Sequence, residues 1–291
     1  MEKDKPIKVL QVVTIMDRGG LETMLMNYFR KIDRSKVQFD FLVHRLNRGH
    51  YDDEIERLGG NIYRLPPIRP GRYKQYFKAL DDFFSTHSDY DIVHSHINEN
   101  SSFVLRAAKK ANIQCRIVHS HLSDVTFDIK TPFRLFARMM MQDYPTHYFA
   151  CSYHAAKWMF GSKVKDKPPI VLPNAVDVER FQFDPDVRSR LRTELKGENQ
   201  FIIGHVGRFE KQKNHEFLID IFYEIKKRKS NSMLVLVGEG ILQKRVEQKV
   251  KQLGLEKDVK FLGVRKDIPE LMQAFDVFLF PSLFEGLPVV L

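Results

Sequence analysis

The strongest constraint on the fold is an alternation of short apolar runs with helical patterns along the whole chain. Runs of strand length occur at residues 8–13, 39–43, 61–65, 91–94, 116–119 and 148–152, and again at 201–206, 233–237, 259–262 and 277–280. Apolar residues at helical spacing fall between them, as at residues 21–32, 215–229, 241–253 and 268–275. Strands that alternate with helices form βαβ units with parallel strands. We therefore predict an α/β fold with mostly parallel sheets.

A proline-rich segment divides this alternation into two halves. Residues 166–177 place three prolines around one short strand, and a loose polar stretch follows as far as Asp186. Such a segment is typical of a linker between domains. We predict two domains, residues 1–172 and 173–291. The last residues run through a loop into an apolar segment without a closing element, which predicts that the C-terminal domain is incomplete.

Composition limits the classes of protein that need to be considered. Of 291 residues, 43% are hydrophobic and 29% are charged, which is enough for two soluble domains with cores. No apolar run is long enough to cross a bilayer and no signal peptide is apparent, so we expect a cytoplasmic protein. Two cysteines, Cys115 and Cys151, are too few for a disulfide framework. A net charge of +10 predicts an anionic partner, and nucleotides, nucleic acid and anionic lipid all fit.

Two short segments at strand-to-helix corners are suited to bind phosphate. Gly19 and Gly20 follow the first strand, and Gly207, Arg208 and Lys213 follow the strand that opens the second half. Backbone N–H groups at such corners bind anions, Arg208 offers a fork of donors, and Lys213 adds a mobile charge. Two such halves predict one nucleotide diphosphate held between two domains. The alternatives are a solvated basic turn in the second half and a simple tight turn in the first.

Several motifs occur in the order and spacing of a known family. In the second half they occupy residues 206–214, 236–240, 261–267, 276–282 and 284–288, and in the first half residues 19–22, 91–96 and 172–177. Over nearly its whole length the chain resembles the GT-B glycosyltransferases of family 4, similar to those of exopolysaccharide and capsule biosynthesis. The resemblance implies a GT-B fold, in which two Rossmann-like domains face each other across a cleft.

The resemblance also implies roles for individual residues. Arg208 and Lys213 would hold the donor diphosphate and stabilise the departing nucleoside diphosphate. Glu285 would be the first glutamate of the family's E-x7-E motif and would accept hydrogen bonds from donor-sugar hydroxyls. The second glutamate would fall beyond Leu291, so we expect this chain to bind the donor poorly. The other residues that the resemblance places at the substrate are Gly19, Gly20, Glu239, Gly240, Val264, Arg265 and Gly286.

Four histidines fall at the ends of two predicted strands: His94, His96, His119 and His121. Such strand ends are functional positions in open α/β sheets, although a histidine there is often a packing residue, and we expect at least two to be so. In the family one histidine after this strand lies at the donor sugar. We choose His121 because it lies past the strand, with His119 as the alternative. A neutral imidazole, with a pKa near 6.5, could donate to or accept from a sugar hydroxyl.

Residues 130–142 have the pattern of a basic amphipathic helix. Its apolar side would carry Phe133, Phe136, Ala137 and Met140, and its basic side Arg134 and Arg138. Further basic and aromatic residues that could join it on an anionic membrane are Arg69, Arg72, Tyr73, Lys74, Tyr76 and Phe77. The alternative is a helix that packs on the core with its arginines in solvent.

These observations together predict a retaining glycosyltransferase of cell-surface polysaccharide biosynthesis. The donor would be a nucleoside diphosphate sugar, with UDP favoured, and the acceptor a carbohydrate or a lipid-linked carbohydrate. A lipid-linked acceptor would place the protein at the inner face of the cell membrane. Positive groups would stabilise the leaving diphosphate without a cofactor or a metal ion. The alternatives are another GT-B activity, such as sugar-nucleotide epimerisation or phosphorolysis, and a basic nucleic-acid-binding protein, which the net charge alone suggests.

Overall fold

The predicted α/β fold with parallel sheets is confirmed, and it is built as two units. The computed structural model describes residues 5–121, 131–141, 143–161, 168–285 and 287–291. One unit comprises Met1–Val176 together with Gly286–Leu291, and the other comprises Asp177–Glu285. We predicted domains of residues 1–172 and 173–291, with the final residues in the second domain. In the structure the division follows Val176, and the final residues lie with the first unit.

The first unit contains a seven-stranded parallel sheet in the order β3-β2-β1-β4-β5-β6-β7. Its strands are β1 (Ile7–Val13), β2 (Val37–Val43), β3 (Ile62–Arg64), β4 (Ile92–Ser95), β5 (Cys115–Ser120), β6 (His147–Ala150) and β7 (Ile170–Val171). Its helices are α1 (Gly20–Lys31), α2 (Asp52–Arg57), α3 (Tyr73–Thr86), α4 (Ser101–Lys110), α5 (Thr131–Met140) and α6 (Tyr153–Phe160). The strand order reverses between β1 and β4, where open α/β sheets bind their ligands.

Both faces of this sheet are covered, which explains the nearly continuous apolar runs in the sequence. In β1, Leu10 and Val12 pack into one buried cluster, while Val9 and Val13 pack into a second. Successive side chains of a strand point to opposite faces, so a strand buried on both sides must be apolar throughout. The carboxyl ends of the strands are left as the polar edge of the sheet.

The final residues of the chain pack against the first unit at two points. The Asn174 side-chain amide donates a hydrogen bond to the Leu287 carbonyl at 2.5 Å. A Cβ atom placed on Gly20 would lie 3.4 Å from the Val289 side chain. Residues 287–291 therefore lie beside the corner at which α1 begins.

The second unit contains a four-stranded parallel sheet in the order β10-β9-β8-β11. Its strands are β8 (Phe201–Val206), β9 (Ser232–Val237), β10 (Val259–Phe261) and β11 (Val277–Phe278). Its helices are α7 (Pro185–Glu194), α8 (His215–Arg228), α9 (Gln243–Gln252) and α10 (Ile268–Gln273). In β9, Leu234 and Leu236 pack on one face of the sheet, and Met233 and Val235 pack on the other.

Helix α7 occupies part of the segment that we predicted as a loose polar stretch. It begins at Pro185, and the Asp184 carboxylate accepts hydrogen bonds from the backbone N–H groups of Asp186 and Val187 at 2.9 and 3.2 Å. A capping aspartate followed by proline at the first helical position is a helix-start signal. The polar composition of this helix, which buries only Leu191, concealed that signal.

Candidate functional site

The predicted phosphate segment lies at the carboxyl end of β8. Phe209 is fully buried and stacks on the ring of His215 at 4.0 Å, so it fixes the loop to the core. The neighbouring Arg208 side chain is 66% exposed, with its guanidinium 3.7 Å from Glu210. A 3₁₀ turn, Lys211–Lys213, then leads into α8. The loop therefore presents Arg208 from a rigid anchor just ahead of a helix N-terminus.

Lys213 and Glu285, which the sequence analysis assigned to the donor, form an ion pair. The Nζ atom of Lys213 lies 2.7 Å from Glu285 Oε1, and the two side chains are only 17% and 20% exposed. Lys213 Nζ also lies 4.7 Å from the centre of the Phe280 ring. The structure therefore brings together two of the predicted donor residues, which are far apart in sequence.

Backbone contacts hold the Glu285 segment against the 3₁₀ turn. The Gln212 carbonyl accepts from the Leu283 N–H at 2.8 Å, and the Gln212 amide donates to the Phe284 carbonyl at 2.9 Å. The amide of Asn214, the residue before α8, donates to the Pro281 carbonyl at 3.3 Å. The position of Glu285 is thus fixed by the turn that carries Lys213.

The loop after β9 contacts the phosphate segment directly. Gly238 has a φ of +130°, and a Cβ atom there would lie 2.2 Å from the Gly207 carbonyl oxygen, so only glycine fits. The Phe209 N–H donates to the Glu239 carbonyl at 3.1 Å, and a Cβ atom on Gly240 would meet the Phe209 backbone. The predicted residues Glu239 and Gly240 therefore lie beside Arg208, and the Glu239 side chain is exposed.

The loop after β10 holds Arg265 in ion pairs. Its guanidinium donates to Asp267 at 2.8 and 2.6 Å and to Glu194 of α7 at 3.0 Å. The hydrogen bonds to Asp267 raise the pKa of Arg265 above its usual value. The adjacent Val264 is 52% exposed. Gly286, also predicted at the substrate, lies outside the described residues.

Two buried histidines beneath the phosphate segment were missed by the sequence analysis. His205 donates from Nδ1 to the Leu279 carbonyl at 2.8 Å, and its ring lies 4.8 Å from that of His215. Burial lowers the pKa of His205 to about 4 and that of His215 to about 3. Both are therefore neutral near pH 7. His205 sits within an apolar run, where a sequence pattern assigns it no function.

In the first unit, Gly19 and Gly20 lie at the predicted strand-to-helix corner. Gly19 is the N-terminal cap of α1, and Gly20 is its first residue. The Glu22 carboxylate lies against Gly19, since a Cβ atom there would be 2.2 Å from Glu22 Oε2. Val289 lies against Gly20, as described above. A protein carboxylate thus occupies the first turn of α1, where negative charge is favourable.

The four predicted histidines form one cluster at the carboxyl ends of β4 and β5. His94 Nε2 lies 3.2 Å from His119 Nδ1, and His96 Nδ1 lies 2.9 Å from His121 Nε2. His96 Nε2 also lies 2.9 Å from Oε1 of Gln11, a buried β1 residue that the sequence analysis did not select. His96 and His119 are buried, and the other two are partly buried.

Burial keeps all four imidazoles uncharged. It lowers the pKa of His119 to about 3 and the pKa values of His94, His96 and His121 well below the usual range. Ring nitrogens of His94, His96 and His119 lie within 4.8 Å of one another, a spacing that a shared metal ion could also use. A metal ion bound to His96 would displace one of its two hydrogen bonds. The absence of a metal from the reaction stays a prediction.

Helix α5 packs on the core through most of its predicted apolar side. Phe133, Ala137 and Met140 pack on the core as expected, but Phe136 is 53% exposed. The Arg138 guanidinium lies over the Trp158 ring at 5.5 Å, so this arginine covers an aromatic side chain instead of extending into solvent. The packed stripe follows the i, i+4, i+7 spacing from Phe133, and Phe136 lies outside it. The predicted end residues Lys130 and Gln142 lie outside the described residues.

Comparisons with known proteins identify glycosyltransferase relatives along nearly the whole chain. Residues 18–180 match the profile of Glycosyltransferase Family 4, and residues 187–291 match that of Glycosyl transferases group 1. The glycosyltransferase EpsF of Bacillus subtilis is 37% identical, over 98% of this chain and 75% of EpsF. The capsular polysaccharide biosynthesis glycosyltransferase CapH of Staphylococcus aureus is 27% identical, over 97% of this chain and 77% of CapH.

A solved structure has the same fold. HepE of Anabaena, in complex with UDP and glucose, superimposes with a TM-score of 0.79 at 23% identity. The match covers 95% of this chain and 74% of HepE.

Proposed function

The chain belongs to the family 4 glycosyltransferases of GT-B fold, and from this premise we propose that it transfers a sugar from a nucleoside diphosphate sugar to a carbohydrate or lipid-linked acceptor. The name of CapH supports a role in cell-surface polysaccharide biosynthesis. The UDP bound to HepE favours a uridine nucleotide donor. The observation that carries the proposal is the Lys213–Glu285 pair beside Arg208, at the carboxyl end of the second sheet.

Donor binding would exchange the partner of Lys213. In this structure its ammonium group is neutralised by Glu285, whereas a diphosphate would offer it a more highly charged partner. Arg208 and the N-terminus of α8 would contribute further donors to the same anion. The Glu285 carboxylate, released from Lys213, would then accept hydrogen bonds from hydroxyls of the donor sugar. The two members of this ion pair would thus bind different parts of the donor, Lys213 the diphosphate and Glu285 the sugar.

The proposed reaction breaks the bond between the sugar C1 and the diphosphate oxygen and forms a bond from C1 to an acceptor oxygen. The acceptor proton passes to an oxygen of the leaving phosphate. Arg208 and Lys213 stabilise the charge that develops on the diphosphate, which is where such groups lower a barrier most. Attack on the face that the diphosphate leaves would retain the anomeric configuration.

A surface of the first unit supports an acceptor at a membrane. Leu135, Phe136 and Met139 of α5 are 53%, 53% and 68% exposed. Tyr73 at the start of α3 stacks on Phe133 at 5.2 Å, which joins α5 to a second, basic surface. The exposed basic residues there are Arg69, Arg72 and Lys74. Apolar side chains flanked by cations suit peripheral binding to an anionic bilayer. Every helix in the described part of the chain is too short or too polar to span a bilayer.

The test is transfer from a panel of UDP-, GDP- and ADP-sugars to free and polyprenyl-linked oligosaccharides. We expect Arg208→Ala and Lys213→Ala each to lower the rate of transfer by about tenfold or more, because a hydrogen bond to a charged group contributes roughly 1.5–3 kcal/mol. Lys211→Ala is the matched control, since Lys211 is an exposed lysine of the same turn. Wild-type kinetics in both site variants would overturn the diphosphate assignment. Epimerised or phosphorolysed sugar in place of a transfer product would identify a different GT-B reaction.

A further inference from the structure

Three side chains in the first unit form a hydrogen-bonded series that spans three neighbouring strands, β1, β4 and β5. Gln11 of β1 is 2% exposed, and its Oε1 lies 2.9 Å from His96 Nε2. His96 Nδ1 lies 2.9 Å from His121 Nε2, at the end of β5. The series starts beside the reversal of strand order between β1 and β4 and ends at the histidine that the sequence analysis favoured.

The chemistry of the first member fixes the protons of the other two. The Gln11 oxygen can only accept, so His96 Nε2 must carry the proton. A neutral imidazole carries one proton, so His96 Nδ1 is bare and accepts from His121 Nε2. His121 then carries its own proton on Nε2, and its Nδ1 is bare. Burial, which disfavours an imidazolium at either ring, excludes a second proton.

The geometry points to a positioning role for Gln11: through His96, it holds His121 as the Nε2–H tautomer, so that Nδ1 accepts a hydrogen bond from a sugar hydroxyl. His121 Nδ1 is buried and has no hydrogen-bond partner among the described residues, which is the state expected of an atom that a ligand satisfies. The inference rests on the proposed function, because the hydroxyl belongs to a substrate of that reaction. It restricts His121 to accepting, where the sequence alone allowed either role.

His119 differs from His121 in the partner of its ring. His119 Nδ1 pairs with His94 Nε2 at 3.2 Å, and its Nε2 is buried without a hydrogen-bond partner in the described chain. Among the described residues, no acceptor-only group is hydrogen-bonded to His94 or His119 to fix the proton of this pair. The tautomer of His119 is therefore not fixed in the way that Gln11, through His96, fixes the tautomer of His121. We assign the contact with the sugar hydroxyl to His121.

The tautomer can be measured without any substrate. Long-range proton–nitrogen NMR spectra of the whole chain labelled with ¹⁵N-histidine distinguish a protonated ring nitrogen from a bare one, and a His121→Phe sample identifies the signals of His121. We expect wild-type His121 to be protonated on Nε2 and bare on Nδ1. Protonation on Nδ1 in the wild type would overturn the inference, whether or not the protein transfers sugar.

Removal of the anchor provides the second measurement. Gln11→Met keeps the approximate volume but removes the acceptor, so we expect a mixture of His121 tautomers and a fall in kcat of about tenfold, with little change in donor KM. Ser95→Ala is the control, because it removes a buried hydroxyl next to His96 that bonds only Ser101 in the described hydrogen bonds. We expect wild-type tautomers and kcat in the control.

The two measurements separate the possible failures. A mixture of tautomers in Gln11→Met with unchanged kcat would overturn the positioning role. If the wild type transfers no sugar from any donor of the panel while its His121 is protonated on Nε2, the proposed function fails, and with it the assignment of a sugar hydroxyl to Nδ1. The spectrum would then support only the tautomer.

Discussion

At the scale of single residues, the buried histidines make folding sensitive to acid. His205 and His215 are 0% and 3% exposed, with pKa values lowered by burial to about 4 and about 3. The unfolded chain binds protons at these residues below about pH 6.5, while the folded chain excludes them until its lower pKa values are reached. The contribution of each histidine to stability is therefore complete near neutral pH and decreases as the pH falls from about 6.5 toward 4.

Substitution of His215 tests this dependence. Between pH 7 and pH 5, exclusion of one proton lowers the free energy of unfolding by about 2 kcal/mol. The substitution His215→Phe keeps an aromatic ring against Phe209 but cannot bind a proton. We expect it to make the decrease in the free energy of unfolding between pH 7 and pH 5 smaller by about 2 kcal/mol, as measured by urea denaturation at both pH values. His154→Gln, at an exposed histidine, serves as the control and is expected to keep the wild-type loss. An unchanged acid sensitivity in His215→Phe would contradict the argument.

Residues differ in how far their roles can be inferred from sequence. Arg208 and Lys213 were selected because they lie close together in sequence at a strand-to-helix corner, and Glu285 was selected through the resemblance to the family. Gln11 was not, because its role depends on His96, which lies 85 positions away and reaches it only through the β1–β4 pairing. The ion pair of Arg265 with Glu194, 71 positions away, was missed for the same reason.

At the scale of elements, α5 offers the clearest test of membrane contact. Its exposed side chains Leu135, Phe136 and Met139 would each contribute roughly 1.5–3 kcal/mol if fully buried in a bilayer. We expect serine at all three positions to lower binding to anionic vesicles at least about tenfold in a sedimentation assay, and salt to weaken the wild-type binding.

The matched control for α5 is Ile241→Ser, which changes a side chain that is 90% exposed in the second unit. It is expected to bind vesicles like the wild type. Equal sedimentation of the wild type with anionic and neutral vesicles would exclude the surface as a membrane contact, and the acceptor would then be sought among soluble carbohydrates.

Secondary-structure elements were predicted best where burial alone determines their sequence pattern. The apolar runs gave each strand to within about two residues, because a strand covered on both faces must be apolar. Helix α7 was missed since it is held by a cap and buries little. In α5, the exposure of Phe136 and the packing of Arg138 over Trp158 were not predicted. The helical pattern identifies a helix but does not state which charged side chains pack.

At the scale of the whole molecule, the positive charge offers an alternative to a metal ion. The chain has 47 lysines and arginines against 37 acidic residues. Under the proposed function, Arg208, Lys213 and the N-terminus of α8 would offset the charge of a diphosphate. We therefore expect EDTA to leave the rate of transfer within about twofold, which a donor assay with and without chelator measures. Complete loss with EDTA, restored by magnesium or manganese, would contradict this mechanism.

The path of the chain between the two units affects how the second unit unfolds. The chain leaves the first unit after Val176, and residues 287–291 lie with that unit again, where Leu287 is held by Asn174. The second unit is therefore a loop of roughly 110 residues, and holding together the ends of an unfolded loop of that length costs about 4 kcal/mol of free energy at room temperature. While that anchor holds, the unfolded second unit remains tethered at both ends, and its refolding begins from a smaller set of conformations.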